Sequence, residues 1–524
     1  MTGLLRAGHF MPAKMPLTAE RVVLPRPDPE THVRAYHRNA HVGLRYELPI
    51  VVQGGAWPFV HELLAAPAGA TLGAIHGEAD YGILRWTPQQ NGAFAFSVRV
   101  TDQDGNQVVI NWSGSVGTDW IRFVDAVNGN DSTGNGSLAA PWRTLVHAHA
   151  NISGGRCLCL RSGTYAAGSA SMSMSTSLFA SLIGWPGELP TIDCNSLTSE
   201  NFTWHNGGDN FVGMLRFTGG ASGVGNPRYF ISLNTNHRCY HYRLTFDGPP
   251  AGTTSGGGDD NNSCLFLGAG GSQRRHVAQT HCTFHNLRRT SNGFSGIDTY
   301  QTRYLVVADN VYDTPFAGTG PRMALWIKGG EHEDVSVRGN RWLQAWSGDS
   351  LINLYMARAA PHGLFAARNI ELCYNTVVSS NATGWSSLAI QIGMAGQDGD
   401  RGPIWVYRNT VRGIVAIDKR DWPLDISFEY DVIVNNASVF GGTTSGKVMM
   451  LDSNDPVNRF RDPALRPNIN LSVAGTQCHG SSGDGILDAQ QRLQGAWRTQ
   501  YLGTHGAEVA TPDLIFRNGF ENAP

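Results

Sequence analysis

Downstream of residue ~260 the chain alternates short stretches of apolar and polar positions at a long, regular interval. Six stretches align on their last inward apolar residue: Leu267, Ile297, Ile327, Leu354, Ile392 and Ile417, with steps of 30, 30, 27, 38 and 25 residues. The residues two earlier should share that face, because strand side chains alternate with period two. They are Leu265, Ser295, Leu325, Ile352, Ile390 and Val415, with Ser295 the one misfit. Each stretch leads through a polar turn to a second strand and then to Asn-x-apolar. The Asn slots are Asn310, Asn340, Asn375 and Asn409, followed by Asn435 or Asn436, and Cys282 fills the slot one coil earlier. An Asn at each equivalent turn can stack on its neighbours, share amide hydrogen bonds and tolerate a left-handed backbone. A repeat of this length with one Asn per turn predicts an all-β fold, a right-handed parallel β-helix over residues 118–475.

Upstream the period changes. Phe94, Phe96, Val98 and Val100 alternate apolar-in, a turn follows at Asp104-Gly105, and residues 107–112 return as a second strand. This predicts a hairpin inside a small β-sandwich over 41–117. Residues 1–40 read as an irregular arm. The apolar turn at 144–152 reads as a short helix that caps the first coil and hides its open edge. Cys157 and Cys159 alternate in an apolar strand and read as small core residues. In 476–524, Ile486, Leu493, Trp497 and Tyr501 fall at helical spacing, so that segment reads as a helix with a tail.

Composition narrows the partners. The 524 residues are 41% hydrophobic but only 16% charged, with 63 Gly and a net charge of -2. Such a balance points to no nucleic acid and no anionic membrane, and no apolar run reaches the ~20 residues of a membrane span. The eight cysteines lack metal-ligand spacing, and no disulfide is assigned. Only Lys14, Lys328, Lys419 and Lys447 are lysines, so a lysine inside a strand stands out. The first residues lack the basic segment, apolar core and cleavage site of a signal peptide. The corresponding expectation is a misassigned start, release by lysis, or carriage in a particle.

Several motifs carry resemblances. YELPI (46–50), PF (58–59), WTP (86–88) and VTD (100–102) resemble immunoglobulin-like modules of bacterial and phage surface proteins. That likeness covers this domain alone and implies a spacer or adhesin unit without catalytic residues. FVDAVNGND (123–131), APWRTL (140–145) and LIGWPGELPTI (182–192) resemble early coils of the right-handed parallel β-helix superfamily, which includes phage tailspikes and polysaccharide lyases. PDLIFRNGF (512–520) is similar to short tails on some secreted Gram-negative proteins. The resemblance implies a polysaccharide substrate, an extracellular or virion-associated location and, for a tailspike-like protein, a homotrimer.

The strand alignment defines an outward face. It places Asp298, Lys328 and Tyr355 on consecutive rungs, Trp326, Asn353 and Gln391 beside them, and Arg322 and Asp349 at the far end of the same strands. An exposed indole can stack on the apolar side of a pyranose while amides, carboxylates and guanidinium groups take its hydroxyls. The plainer reading is a solvated face with a weak Asp298–Lys328 ion pair. By resemblance to lyases on this fold, Lys328 would be the base or carboxylate neutraliser, Tyr355 the acid and Asp298 the orienting group. A hydrolase needs two carboxylates flanking the bond. Asp298 has no such neighbour, and Glu331 or Glu333 is the nearest substitute. The loop GGGDDNN (256–262) offers clustered oxygens to Ca²⁺ but no recognised spacing, so a surface turn is preferred and no cofactor is assigned. His281 and His285 lack a further zinc partner, and His332 between Glu331 and Glu333 reads as a solvated turn. The expectation is a tailspike-like protein that binds and depolymerises a bacterial surface polysaccharide. A secreted Gram-negative polysaccharide lyase and a non-catalytic adhesin are the alternatives.

Overall fold

The computed structural model describes residues 12–27, 35–152, 156–167, 181–194, 210–218 and, between 229 and 451, the coil strands with the short turns that join them. The C-terminal helix expected in 476–524 lies outside the described residues.

Three all-parallel sheets wind around one axis. Sheet 1 has eleven strands, from Ile121–Val124 to Ile426–Glu429. Sheet 2 also has eleven, from Thr164–Ala166 to Met449–Leu451. Sheet 3 has seven, from Tyr229–Ser232 to Ile414–Ile417. Successive strands of one sheet belong to successive coils, which makes this a parallel β-helix, and its crossovers give it the right-handed sense.

The lumen is built by repetition. Successive sheet 2 strands send one row of residues inward, stacking Ile192, Phe217, Phe246, Phe284, Tyr312, Trp342, Val377 and Val411 in register, all fully or almost fully buried. Phe217, Phe246 and Phe284 lie face to face at 5.4 and 5.1 Å between ring centroids. Burying each such ring contributes ~1.5–3 kcal/mol.

The turn between sheets 1 and 2 holds the predicted Asn ladder. Asn310, Asn340 and Asn375 each donate Nδ2–H to Oδ1 of the next Asn at 2.9–3.0 Å. The same Oδ1 atoms accept the backbone N–H of the preceding slot, including Cys282 N–H from Asn310 Oδ1 at 2.8 Å. All four Asn are fully buried. The left-handed backbone, however, sits one residue earlier, at His281, Asp309, Gly339, Tyr374 and Arg408. The Asn is there for its amide rather than for its backbone freedom. At Gly339 a Cβ would stand 2.6 Å from Asp309 Oδ1, so glycine also relieves crowding between neighbouring turns.

The first coil closes as expected. A helix, Leu145–Asn151, starts at Thr144, whose hydroxyl accepts His147 N–H at 3.2 Å. Leu145, Ala148 and Ile152 join the lumen core. The 123–131 motif folds as two Asx turns and a tie: Asp125 Oδ1 accepts Val127 and Asn128 N–H, Asn130 Oδ1 accepts Ser132 and Thr133 N–H, and Asp131 Oδ1 reaches across to accept Arg143 and Thr144 N–H at the start of the helix. These side chains are spent on local structure.

Upstream, two more sheets form, antiparallel except where Asn39–His41 runs parallel to Gln107–Gly117. One is ordered Asn39–His41, Gln107–Gly117, Gly92–Thr101, Val60–Ala65, and the other Tyr46–Pro49, Ile83–Trp86, Thr71–Leu72. The hairpin is as read, with Phe96 opposite Trp112 and Val100 opposite Val108, although its second strand runs on to Gly117. Part of the presumed arm is ordered: Val22–Leu24 pairs antiparallel with Val51–Val52.

This N-terminal module lies against the outer face of sheet 1, and the two share one hydrophobic cluster. Tyr36 stacks on Phe211 at 4.3 Å, and Trp57 meets Tyr374 at 4.6 Å. Cys157 and Cys159 are buried in this seam rather than in the lumen. Polar groups cross it as well. Glu47, fully buried, accepts Tyr242 Oη–H at 2.7 Å and pairs with Arg243, Arg85 and Arg45 at 2.6, 3.1 and 3.1 Å. Arg21 pairs with Asp334 at 3.0 Å, and Arg338 donates to the Val52 carbonyl at 2.6 Å. The outer face of sheet 1 is therefore closed to a polymer, which leaves sheets 2 and 3.

Candidate functional site

On sheet 3 the strand pairing corrects the expected alignment. Ile297 pairs with Leu265 and Leu325, whereas Leu267 and Ile327 share a rung with Thr299. The first two steps therefore slip by two residues. The reason is that Thr299, fully buried, occupies an inward slot where an apolar residue was anticipated. A slip of two keeps in and out but changes rung partners. It also removes the Ser295 misfit, because the inward residue two before Thr299 is Ile297.

The corrected register column runs Phe266, Asp298, Trp326, Asn353, Gln391, Ala416. Asp298 is thus a neighbour of Trp326 and not of Lys328. Leu325 and Ile327 are fully buried in the lumen while Trp326 is half-buried, so the indole lies on the outer face. Tyr355 pairs with Gly393 in the next column. Arg322 pairs with Phe294, four residues upstream of Trp326, about 13 Å along the strand. Lys328 and Asp349 lie outside the described residues, as does most of the 256–262 loop.

Sheet 2 carries a row the sequence reading missed. Asp193, Thr218, Asp247, His285 and Asp313 are in-register partners on five successive strands. Asp247 pairs with Arg216 on the preceding strand. Asp247 and Asp313 stand two rungs apart, about 9.6 Å between Cα positions, with His285 on the rung between. The signal was present: His285 and Asp313 each fall three residues after a slot residue, Cys282 and Asn310. Attention to the slots passed over the strand that follows them.

Other candidates resolve as structure. His281 packs in the seam, 5.7 Å from Tyr242, Cys282 lies in the lumen, and His285 is half-buried on sheet 2, so the three do not converge. His332 belongs to the sheet 1 strand Glu331–Arg338, is buried, and shares a 2.9 Å hydrogen bond with the Thr302 hydroxyl. The solvated-turn reading is corrected accordingly. Glu333 is held 3.4 Å from both Arg303 and Arg368, on sheet 1, and does not serve sheet 3. Among the described residues no group of three His, Cys, Asp or Glu is placed to hold a metal.

Coil and ladder define the class: a right-handed parallel β-helix protein. Among solved structures the chain is similar to the family 28 exopolygalacturonase of Yersinia enterocolitica, at 10% identity over 78% of this chain and 97% of that one, TM-score 0.38. It is similar to a rhamnogalacturonan lyase at 11% identity over 74% and 99%, TM-score 0.39. A third is the pectate lyase Pel9A at 12% identity over 63% and 75%, TM-score 0.32. No family model and no curated protein matches the chain.

Proposed function

We propose that this protein binds a polysaccharide along the outer face of sheet 3 and depolymerises it. One observation carries the reading: Asp298, Trp326, Asn353 and Gln391 form a single column on four successive rungs, with the indole on the outer face. A polar strip with one aromatic platform suits a chain of pyranoses, whose apolar faces stack while their hydroxyls take hydrogen bonds. Sheet 1 is closed by the N-terminal module, so the polymer has two faces left to it.

For the reaction, a lyase centred on Lys328 and Tyr355 is the first reading. A hydrolase is the second; it would need two carboxylates, and the sheet 2 row, where Asp247 and Asp313 stand two rungs apart, offers two carboxylate positions, which would place the reaction on that face instead. A tailspike-like homotrimer on a virion, a secreted enzyme and an adhesin are the settings this reading allows. The test is a panel of acidic and neutral polysaccharides. A lyase generates an unsaturated uronate with new ultraviolet absorbance, whereas a hydrolase releases reducing ends alone. Lys328→Ala with full activity removes the lyase assignment. Binding without either product leaves the adhesin, and a monomer in light scattering removes the tailspike.

A further inference from the structure

Four histidines lie in the seam between the N-terminal module and sheet 1, two from each side, with His61 and His276 buried and His76 and His281 half-buried. His61 and His76 come from the module, and His276 and His281 from the coil. His61 is 3% exposed, and neither of its ring nitrogens has a hydrogen-bond partner. It shares a small cavity with Tyr81 from its own side and with Thr280, His281, Asp309 and Arg338 from the coil. His76 Nδ1 is buried without a partner, and its ring lies 4.4 Å from Trp57, which meets Tyr374 of the coil. His276 makes one hydrogen bond, Nε2 to the Glu20 carbonyl at 3.1 Å, and its ring stacks on Tyr304. Its Nδ1, like that of His281, is buried without a partner.

Each ring suits its place only when neutral. A second N–H would be a buried donor with nothing to accept it, carrying a charge that the seam does not neutralise. Burial is the main cause in all four. Arg338 faces His61, and Arg26, Arg238 and Arg275 face His276. All of these oppose protonation, and the two rings are pushed down to about 3. Asp309 favours protonation of His76 and His281, and Glu47 favours that of His281, while Arg243 and Arg85 oppose it. Both rings are nevertheless lowered.

We propose that this seam is an acid-labile clamp: protonation of its histidines releases the N-terminal module from sheet 1 while the coil stays wound. A histidine whose value is depressed in the docked state stabilises docking fully above its free value, near 6.5. That contribution is lost as pH falls from there toward 3. From pH 7.5 to 4.5, His61 and His276 together shift the docking equilibrium by about 10⁴-fold toward release. Glu20 and Glu47, held low, act in the same direction at lower pH. Glu371, buried on sheet 1 and raised, acts against it. The coil keeps its own lumen and Asn ladder, which contain none of these four rings. The lumen does hold a fifth, His241, in register with Val212, buried, without a hydrogen-bond partner on either nitrogen and pushed down to about 3. This one ring acts against eleven rungs of stacked core and loosens the coil without unwinding it.

The cysteines report the two events separately. Cys157, Cys159 and Cys373 belong to the seam cluster, whereas Cys194, Cys239 and Cys282 belong to the lumen. The experiment labels the full-length protein with a dithiodipyridine reagent, which reacts at acid pH, and maps the adducts by mass spectrometry. None of the six should react at pH 7.5, and at pH 4.5 the seam three should react while the lumen three stay protected. Silence of all six at pH 4.5, or reaction of all six together, overturns the proposal. In H61F/H276F the release midpoint should move to lower pH, and an unchanged midpoint removes the histidines as the trigger. If that variant does not fold at pH 7.5, the wild-type map decides alone.

Discussion

Asp298 and Trp326 are in-register partners on neighbouring parallel strands of sheet 3, so their Cα positions stand one rung, about 4.8 Å, apart. That pairing joins a carboxylate position to the one indole on the described outer face of this sheet. Asn353 and Gln391 extend the same column, giving four rungs that span about 14 Å between the outer Cα positions. The pairing exists because Thr299, not Ile297, shares the rung of Ile327.

Thr299 is fully buried and its hydroxyl has no hydrogen-bond partner. Thr299→Val replaces that hydroxyl with a methyl of the same shape. The unpaired group costs ~1–3 kcal/mol to bury, so the variant should be more stable by about 1 kcal/mol in urea denaturation. A loss of stability would mean that the hydroxyl has a role in the lumen.

Asn375 occupies the middle of the ladder. Its Oδ1 accepts both the backbone N–H and the Nδ2–H of Asn340, and its Nδ2 donates to Asn409 Oδ1 and to the Val337 carbonyl. Asn375→Ala leaves several buried groups unpaired at ~1–3 kcal/mol each. The expected loss is about 4 kcal/mol, against less than ~0.5 kcal/mol for a surface substitution. Denaturant midpoints of the two proteins check this.

How legible the molecule is in its sequence follows from what repeats. The Asn slots and the apolar alternation recur coil after coil, so the ladder, the lumen and the capping helix at Thr144 can be read directly. The rung partners cannot. A polar residue such as Thr299 can fill an inward slot, and alternation alone does not distinguish a register from one shifted by two. The docking of the module was hidden for a different reason. Glu47 and Tyr242 become partners across 195 residues of sequence, and Val52 and Arg338 across 286, and no local pattern marks such pairs. The sheet 2 row of Asp247, His285 and Asp313 was visible at a fixed offset from the slots, but a single Asp per strand is also what an ordinary solvated face looks like.

Glu47 anchors the seam. Burial pushes its carboxyl up, but the Tyr242 hydroxyl and Arg243, Arg85 and Arg45 outweigh that and hold it below the usual range. Its contribution is present above about pH 4.5, the ordinary carboxylate value, and is lost as pH falls through the depressed one. Glu47→Ala leaves Arg243 and its neighbours without their carboxylate. Removing one side of a buried pair costs ~3–5 kcal/mol, so the variant should unfold at lower urea and lose most of the acid-side slope of stability below about pH 4.5. Equal slopes in both proteins would show that the network contributes nothing to the seam.

The most direct test of the carbohydrate reading is the affinity of Trp326→Ala for the polysaccharide that the wild type binds. Leu325 and Ile327 hold the strand through the lumen, so the coil should keep its circular dichroism and melting temperature. Losing a stacked aromatic platform of ~1–3 kcal/mol should weaken binding about 5- to 100-fold. A correctly folded Trp326→Ala that binds as tightly as the wild type would contradict the assignment of sheet 3 as the working face.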